Sequence, residues 1–316
     1  MRKRKIGSLE VTVVGVGCNN FGRQLDAERT QRVMYAALDQ GVNFFDTADQ
    51  YGRPYTTSES FIGEVMQSIG SRRDELIIAT KFGRVLDDRR QGAKAAYVKS
   101  ATEDSLRRLR TDRIDLMQLH IPDPTTPIEE TLGALADLVA EGKIREIGAS
   151  NFNVEQLREA AAAASSKGTP GFVSTQSEYS LLNRAVETDV LAECGRTGLA
   201  FLPFFPLYNG LLTGRYRAGE PVPAGSRIAS RDKQRQAVIF SERNMKIVAD
   251  LTAYAQERGH TVLELAFAWL LSHTAIPSVI AGVSSPEQVA SNVAAAKWEL
   301  TAAERADIER LAPRAV

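Results

Sequence analysis

Eight short apolar or β-branched runs recur along the chain: VTVVGVG (11–17), VNFFD (42–46), LIIATK (76–81), IDLMQLH (114–120), IREIGAS (144–150), FVSTQ (172–176), LAFLPF (199–204) and PSVIAG (277–282). They are too continuous for strands with one face in water and match strands buried on both faces of a parallel sheet. Helical stretches lie between them. Ser100 to Arg110 sets Ala101, Leu106 and Leu109 among charges, and Ala160 to Ala164 is a run of the strongest helix former. Pro127 precedes IEETLGALADLVAEG, which Gly142 stops; further helices are expected from about Ser241, from about Val262, and over Ala302 to Leu311. Alternation over eight rounds argues for a (β/α)8 barrel, with a six-stranded doubly wound sheet plus extra elements as the alternative. A Rossmann unit should show GxGxxG after its first strand. Here that strand ends GVGCNNFG, with Asn20 in the third glycine position, so the fingerprint fails.

The 316 residues are 43% hydrophobic and 25% charged, enough to bury a large core without disulfide or metal, and length is compatible with one barrel domain over 1–316. With 39 basic and 39 acidic residues the net charge is zero, which offers neither a nucleic-acid groove nor a membrane-surface patch. The basic cluster Arg2 to Lys5 reads as a solvated edge. No apolar run approaches the ~18 residues of a membrane span, and the basic start is not followed by a signal-peptide core. The expected location is cytoplasmic. Cys18 and Cys194 form no CxxC pair, and His120, His260 and His273 are too scattered for a metal site. No coiled-coil repeat points to an oligomeric state.

Barrel active sites sit at the carboxyl ends of the strands. The last polar residues of three consecutive early strands are Asp46, Lys81 and His120, and FFDTADQYG places Tyr51 in the loop after the second strand. Each residue alone has a bland reading as a cap, a rim charge or a loop histidine. Together they form a proton donor. A nearby ammonium lowers the pKa of a phenol, Asp46 would keep Lys81 charged, and His120 would give a second hydrogen bond to a substrate oxygen. Such a group can protonate an alkoxide as it forms on a carbonyl. The gap from Phe204 to Ile280 holds PLYNGLLTGRYRAGEPVPAGSR, a long loop of the functional kind.

At this point the chain resembles the aldo-keto reductase family. The matching motifs are FFDTADQYG, IATKFG, DLMQLHIPD, EGKIREIGASNF, TQSEYSLLNR, PLYNGLLTGRY and SVIAGVSSPEQVASN, which run from the first strand to the last helices. The resemblance implies a single (β/α)8 TIM barrel with an N-terminal β-hairpin and extra helices near the C-terminus. It implies NADPH as cofactor, with NADH possible, and a small-molecule carbonyl substrate reduced from aldehyde or ketone to alcohol. Tyr51 would be the general acid, Lys81 and Asp46 its tuning pair, and His120 the residue that orients the carbonyl. Ser150, Asn151 and Gln176 match positions that bind the nicotinamide carboxamide, and Phe204 matches the ring stacked on it. The loop from Pro206 to Arg227 would cover the pyrophosphate, with Leu207, Gly210, Arg215 and Arg227 in the pattern. Gly282, Ser284, Gln288 and Asn292 match the adenosine end.

The chain departs from the family pattern in three ways. Many relatives carry a lysine or arginine around 282–288 for the 2′-phosphate of NADPH, where this chain has Gly282, Val283, Ser284 and Gln288. Phe205 and Tyr208 stand where smaller residues are common. The chain runs only to Val316 after its final helix, so a long closing loop is not expected, and the pocket should be open, walled by Asn20, Phe21, Tyr51, Phe82 and the IPDPTTP loop. A non-catalytic nicotinamide-binding subunit like the potassium-channel β subunits is the alternative reading. A Schiff-base role for Lys81 is a second, which Asp46 argues against by favouring the ammonium.

Overall fold

A computed structural model describes residues 1–216, 220, 222, 228, 229 and 231–314. Among the described residues ten strands are formed: β1 (Lys3–Ile6), β2 (Leu9–Thr12), β3 (Val14–Gly17), β4 (Phe44–Asp46), β5 (Ile77–Phe82), β6 (Ile114–Leu119), β7 (Ile144–Ser150), β8 (Ser174–Glu178), β9 (Ala200–Phe204) and β10 (Val279–Gly282). The helices are α1 (Ala27–Asp39), α2 (Thr57–Ile69), α3 (Ala95–Leu109), α4 (Ile128–Ala140), α5 (Val154–Lys167), α6 (Val190–Thr197), α7 (Lys233–Ile239), α8 (Glu242–Gln256), α9 (Val262–Leu271), α10 (Pro286–Ala295) and α11 (Ala302–Leu311). All eight apolar runs are strands. The first is divided: residues 9–12 pair antiparallel with β1, while Val14 starts a parallel ladder with Val279.

The parallel sheet has the order β10-β3-β4-β5-β6-β7-β8-β9. Its two end strands touch, and Phe201 N–H donates to Ala275 O at 2.8 Å, so the sheet curls almost to closure. This is the (β/α)8 barrel. The antiparallel β1–β2 hairpin lies at its amino-terminal end, and α7, α8 and α11 are additions to the alternating pattern.

Period-two alternation divides the apolar residues between two cores. Inside the barrel Phe44, Ile77, Ala79, Leu116, Ala200, Leu202 and Ile280 meet Ile6, Leu9 and Val11 of the hairpin, which plugs the bottom. Their neighbours Phe45, Ile78, Met117 and Phe201 face outward and join Val33, Ile62, Leu106 and Leu135 in the layer under the helices. Room inside is tight. A Cβ on Gly15 would lie 2.8 Å from Ile280 and 2.9 Å from Phe44, so only glycine fits that position.

Helix ends follow local chemistry. Asp26 caps α1 by accepting from Arg29 N, and reciprocal capping boxes start α5, α9 and α11 at Asn153, Thr261 and Thr301. The helix expected from Ser100 starts earlier, at Ala95, and ends at Leu109 with Arg110 in the left-handed region.

Candidate active site

The same alternation that buries Phe44, Ala79 and Leu116 inside the barrel carries Asp46, Lys81 and Gln118 to its carboxyl end on the inner face. There Lys81 Nζ donates to Asp46 Oδ2 at 2.6 Å and to Thr47 O at 2.8 Å. The other carboxylate oxygen, Oδ1, accepts from Gln118 Nε2 at 3.0 Å and from Gln176 Nε2 at 3.1 Å. Lys81 is 0% exposed, and a charge so deeply buried is tolerated because the pair is completed by these further bonds. Burial alone would lower the lysine pKa, but the neighbouring Asp46 and Tyr51 outweigh it and the net direction is up. The ammonium is retained, which is the wrong state for Schiff-base chemistry.

Tyr51 is brought over this pair by backbone ties. Thr47 N–H donates to Ala79 O (2.8 Å) and Asp49 N–H to Lys81 O (3.0 Å), prolonging the β4–β5 pairing past the strand end, and Tyr51 N–H then turns back to Ala48 O (3.0 Å). Lys81 Nζ lies 5.3 Å from the centre of the Tyr51 ring, and the His120 ring meets it edge-on at 6.1 Å. Burial raises the phenol pKa, and the lowering by Lys81 does not overcome it. This corrects the expectation of a lowered value: the lysine acts in the expected direction, yet desolvation dominates. His120 is displaced well down by burial and by the Lys81 and Arg84 charges, so its imidazole is neutral. Its Nδ1 is buried without a partner. The site thus holds a protonated phenol beside a neutral imidazole.

Behind it lies a carboxyl group that sequence reasoning passed over. Asp49 is 1% exposed and among the described residues no side chain bonds to its carboxylate, which has only the Gln50 backbone N–H nearby, while neighbouring Glu59 takes both Thr80 Oγ1 (2.6 Å) and Arg108 Nε (2.7 Å). Burial, then the Glu59 charge, raises Asp49 from 3.8 to about 8. A raised carboxyl pKa stabilises the fold at low pH, and that stability is lost as pH rises from the unfolded value through the folded one. Asp49→Asn is therefore expected to gain on the native protein by on the order of 3 kcal/mol in unfolding free energy between pH 5 and 8. Urea denaturation at the two pH values measures this; parallel behaviour would mean that Asp49 ionises normally.

These groups open into a cavity of about 660 Å³. Its lining includes the expected Asp46, Tyr51, His120, Asn20, Ser150, Asn151, Gln176, Phe204, Leu207, Gly210, Arg215, Gly282, Ser284, Gln288 and Asn292. Arg227 lies outside the described residues. Phe21 and Phe82 are not on the wall. Both are 0% exposed and belong to the outer core: Lys81 faces the barrel interior, so its neighbour Phe82 must face the helices. Residues 121–127 and Tyr208 are absent from the described lining, whereas Phe205 is present. The sequence reading also missed Gln118, which alternation from Leu116 could have revealed, and Arg23, Arg53, Arg84 and Arg231, whose loop positions carry no periodic signal.

A family model described as the aldo/keto reductase family matches residues 13–313. The chain belongs to the aldo/keto reductase family. Among similar curated proteins is a probable voltage-gated potassium channel subunit beta of Arabidopsis thaliana, 32% identical over 93% of this chain and 91% of the relative. An L-glyceraldehyde 3-phosphate reductase of Escherichia coli (strain K12) is 31% identical over 88% of this chain and 81% of its own. An aldo-keto reductase of Bacillus subtilis (strain 168) is 32% identical over 96% and 90% respectively. Aldo/keto reductases are oxidoreductases that act on small carbonyl compounds. Among the described residues no helix is long and apolar enough to cross a membrane.

The cavity of this aldo/keto reductase suits the nicotinamide dinucleotide that the family generally binds. Among the described residues five arginines line it, at 23, 53, 84, 215 and 231, against one carboxylate, Asp46, already paired with Lys81. Such a surplus favours a polyanion. The amino terminus of α10 adds its dipole beside Ser284 and Gln288. At the β10 end Gly282 leaves the floor open: a Cβ there would come within 3.2 Å of Asn19 Oδ1, itself buried without a partner.

Proposed function

We propose that the chain reduces aldehydes or ketones to alcohols at the expense of NADPH or NADH, with Tyr51 as the proton donor. The observation that carries this is the buried Asp46–Lys81 pair, 2.6 Å across, lying beneath the edge-on rings of Tyr51 and His120 at the mouth of the cavity. Ser150, Asn151 and Gln176 would hold the carboxamide, Phe204 the nicotinamide face, Leu207, Gly210 and Arg215 the pyrophosphate, and Gly282, Ser284, Gln288 and Asn292 the adenosine. Bound nicotinamide supplies the hydride that reaches the carbonyl carbon.

The protein's own groups do the rest. Neutral His120 donates an N–H to the carbonyl oxygen and fixes its direction toward Tyr51. Tyr51 holds its proton at neutral pH because its phenol is desolvated, and releases it only to a stronger base, the oxygen as it becomes an alkoxide. Lys81, held charged by Asp46, stabilises the phenolate left behind. Gln118 and Gln176 keep Asp46 from turning away from Lys81.

The test is nicotinamide oxidation, followed by absorbance, with purified protein and a panel of small aldehydes, ketones and quinones. Turnover is expected with both cofactors, NADPH being preferred by less than ~100-fold because no arginine stands at 282–288, and Ser284→Arg is expected to widen the preference. A regulatory role is the second reading, since relatives from two plants are named as probable channel β subunits. Tight binding of either cofactor with no turnover of any carbonyl would favour it.

A further inference from the structure

We propose that Arg84 is a specificity residue that takes an anionic group, carboxylate or phosphate, on the carbonyl substrate. The inference rests on the carbonyl-reductase reading and adds to it the charge of the compound reduced. Arg84 follows β5 by one residue, Gly83, whose φ of +106° turns the chain over the barrel mouth. The side chain lines the same cavity as Tyr51 and His120, and its charge lowers the pKa of both, so the guanidinium stands at the reacting end of the pocket.

Among the described residues it stands there without a partner. Arg84 Nε is shielded from solvent with no hydrogen-bond acceptor, and among the described residues its guanidinium makes no ion pair. Of the other arginines of the described wall, Arg53 lies over the Tyr55 ring at 4.7 Å and donates to Gly52 O at 3.1 Å, Arg23 and Arg231 meet each other's like charge, and Arg215 belongs to the stretch assigned above to the pyrophosphate. The one carboxylate of the described lining, Asp46, is committed to Lys81, Gln118 and Gln176. A planar fork of donors with a shielded nitrogen lacks only the acceptor for which its geometry is suited. Carboxylate and phosphate oxygens supply that acceptor in charge-assisted, bidentate bonds. A neutral aldehyde leaves the same donors unpaired, which is the arrangement that discriminates most strongly.

The experiment compares matched aldehydes with NADPH: 4-carboxybenzaldehyde against its neutral methyl ester, and 4-formylphenyl phosphate against 4-methoxybenzaldehyde. The native protein is expected to favour at least one anionic member by ~10-fold or more in kcat/KM, the range of a charged hydrogen bond, and the pair showing the larger ratio identifies carboxylate or phosphate as the preferred group. Arg84→Gln is expected to reduce that ratio at least ~10-fold, and Arg84→Lys to keep part of it, since charge survives but the fork does not. NADPH affinity, measured by quenching of its fluorescence, separates a substrate role from a cofactor role. Ratios near one in the native protein, a ratio that survives Arg84→Gln, or a parallel loss of NADPH affinity would each overturn the assignment. Turnover of the neutral aldehydes without preference would remove this inference alone. Failure of all four to turn over would remove the reductase reading and the inference with it.

Discussion

Tyr51→Phe is expected to lower carbonyl reduction by at least ~10²-fold, the low end of what a positioned general acid contributes. The substitution removes one hydroxyl and leaves the ring, with its edge contact to His120 and its place over Lys81. Cofactor affinity should therefore persist, and fluorescence quenching by the variant checks this. The sign of the pH dependence follows from burial. Because desolvation raises the Tyr51 pKa, the donor stays protonated through neutral pH, and the native rate should fall only in alkali, above the ordinary phenol range. Near-native turnover by Tyr51→Phe would transfer the acid role elsewhere, His120 being the nearest candidate.

Lys81→Met is expected to affect stability as well as rate. It leaves the Asp46 carboxylate buried without its cation, a situation that costs about 3–5 kcal/mol. Urea denaturation should show that loss, and adding Asp46→Asn should restore most of it, because Gln118 and Gln176 can rearrange about a neutral amide. Activity should not return in the double variant. Lys81 lowers the Tyr51 pKa, so its removal shifts any residual alkaline limb further up. A Lys81→Met protein as stable and as active as the native one, with the same pH profile, would deny the pair both roles.

The barrel was legible because each of its eight parallel strands lies in an apolar or β-branched run, and the grouping of Asp46, Tyr51, Lys81 and His120 at its mouth because each is the last polar residue of such a run or sits in the loop just after. Alternation explains the errors as well. Phe82 follows Lys81 and so faces the helices, and Phe21 packs with them; reading Asp46 and Lys81 as inward-facing would have excluded Phe82 from the wall. The direction of the Tyr51 shift was not legible, since it depends on how much protein surrounds the phenol, a property of the closed barrel. Asp49 and Glu59 were invisible for a related reason. Only the packing of α2 and α3 shows that the arginine close to both carboxylates, Arg108, pairs with Glu59 and not with Asp49.

Asp46, Lys81, Gln118 and Gln176 project from four strands of one hydrogen-bonded sheet, whereas Arg23, Arg53, Arg84 and Arg231 stand on the connections above it. On the proposed reading, with Tyr51 as proton donor and Arg84 as the substrate's anion site, reaction and choice of substrate are separately mutable. An insertion or exchange in a connection can alter which compound is admitted without disturbing the strand register that holds Asp46 and Lys81. A lineage built this way can explore new substrates while its chemistry stands still.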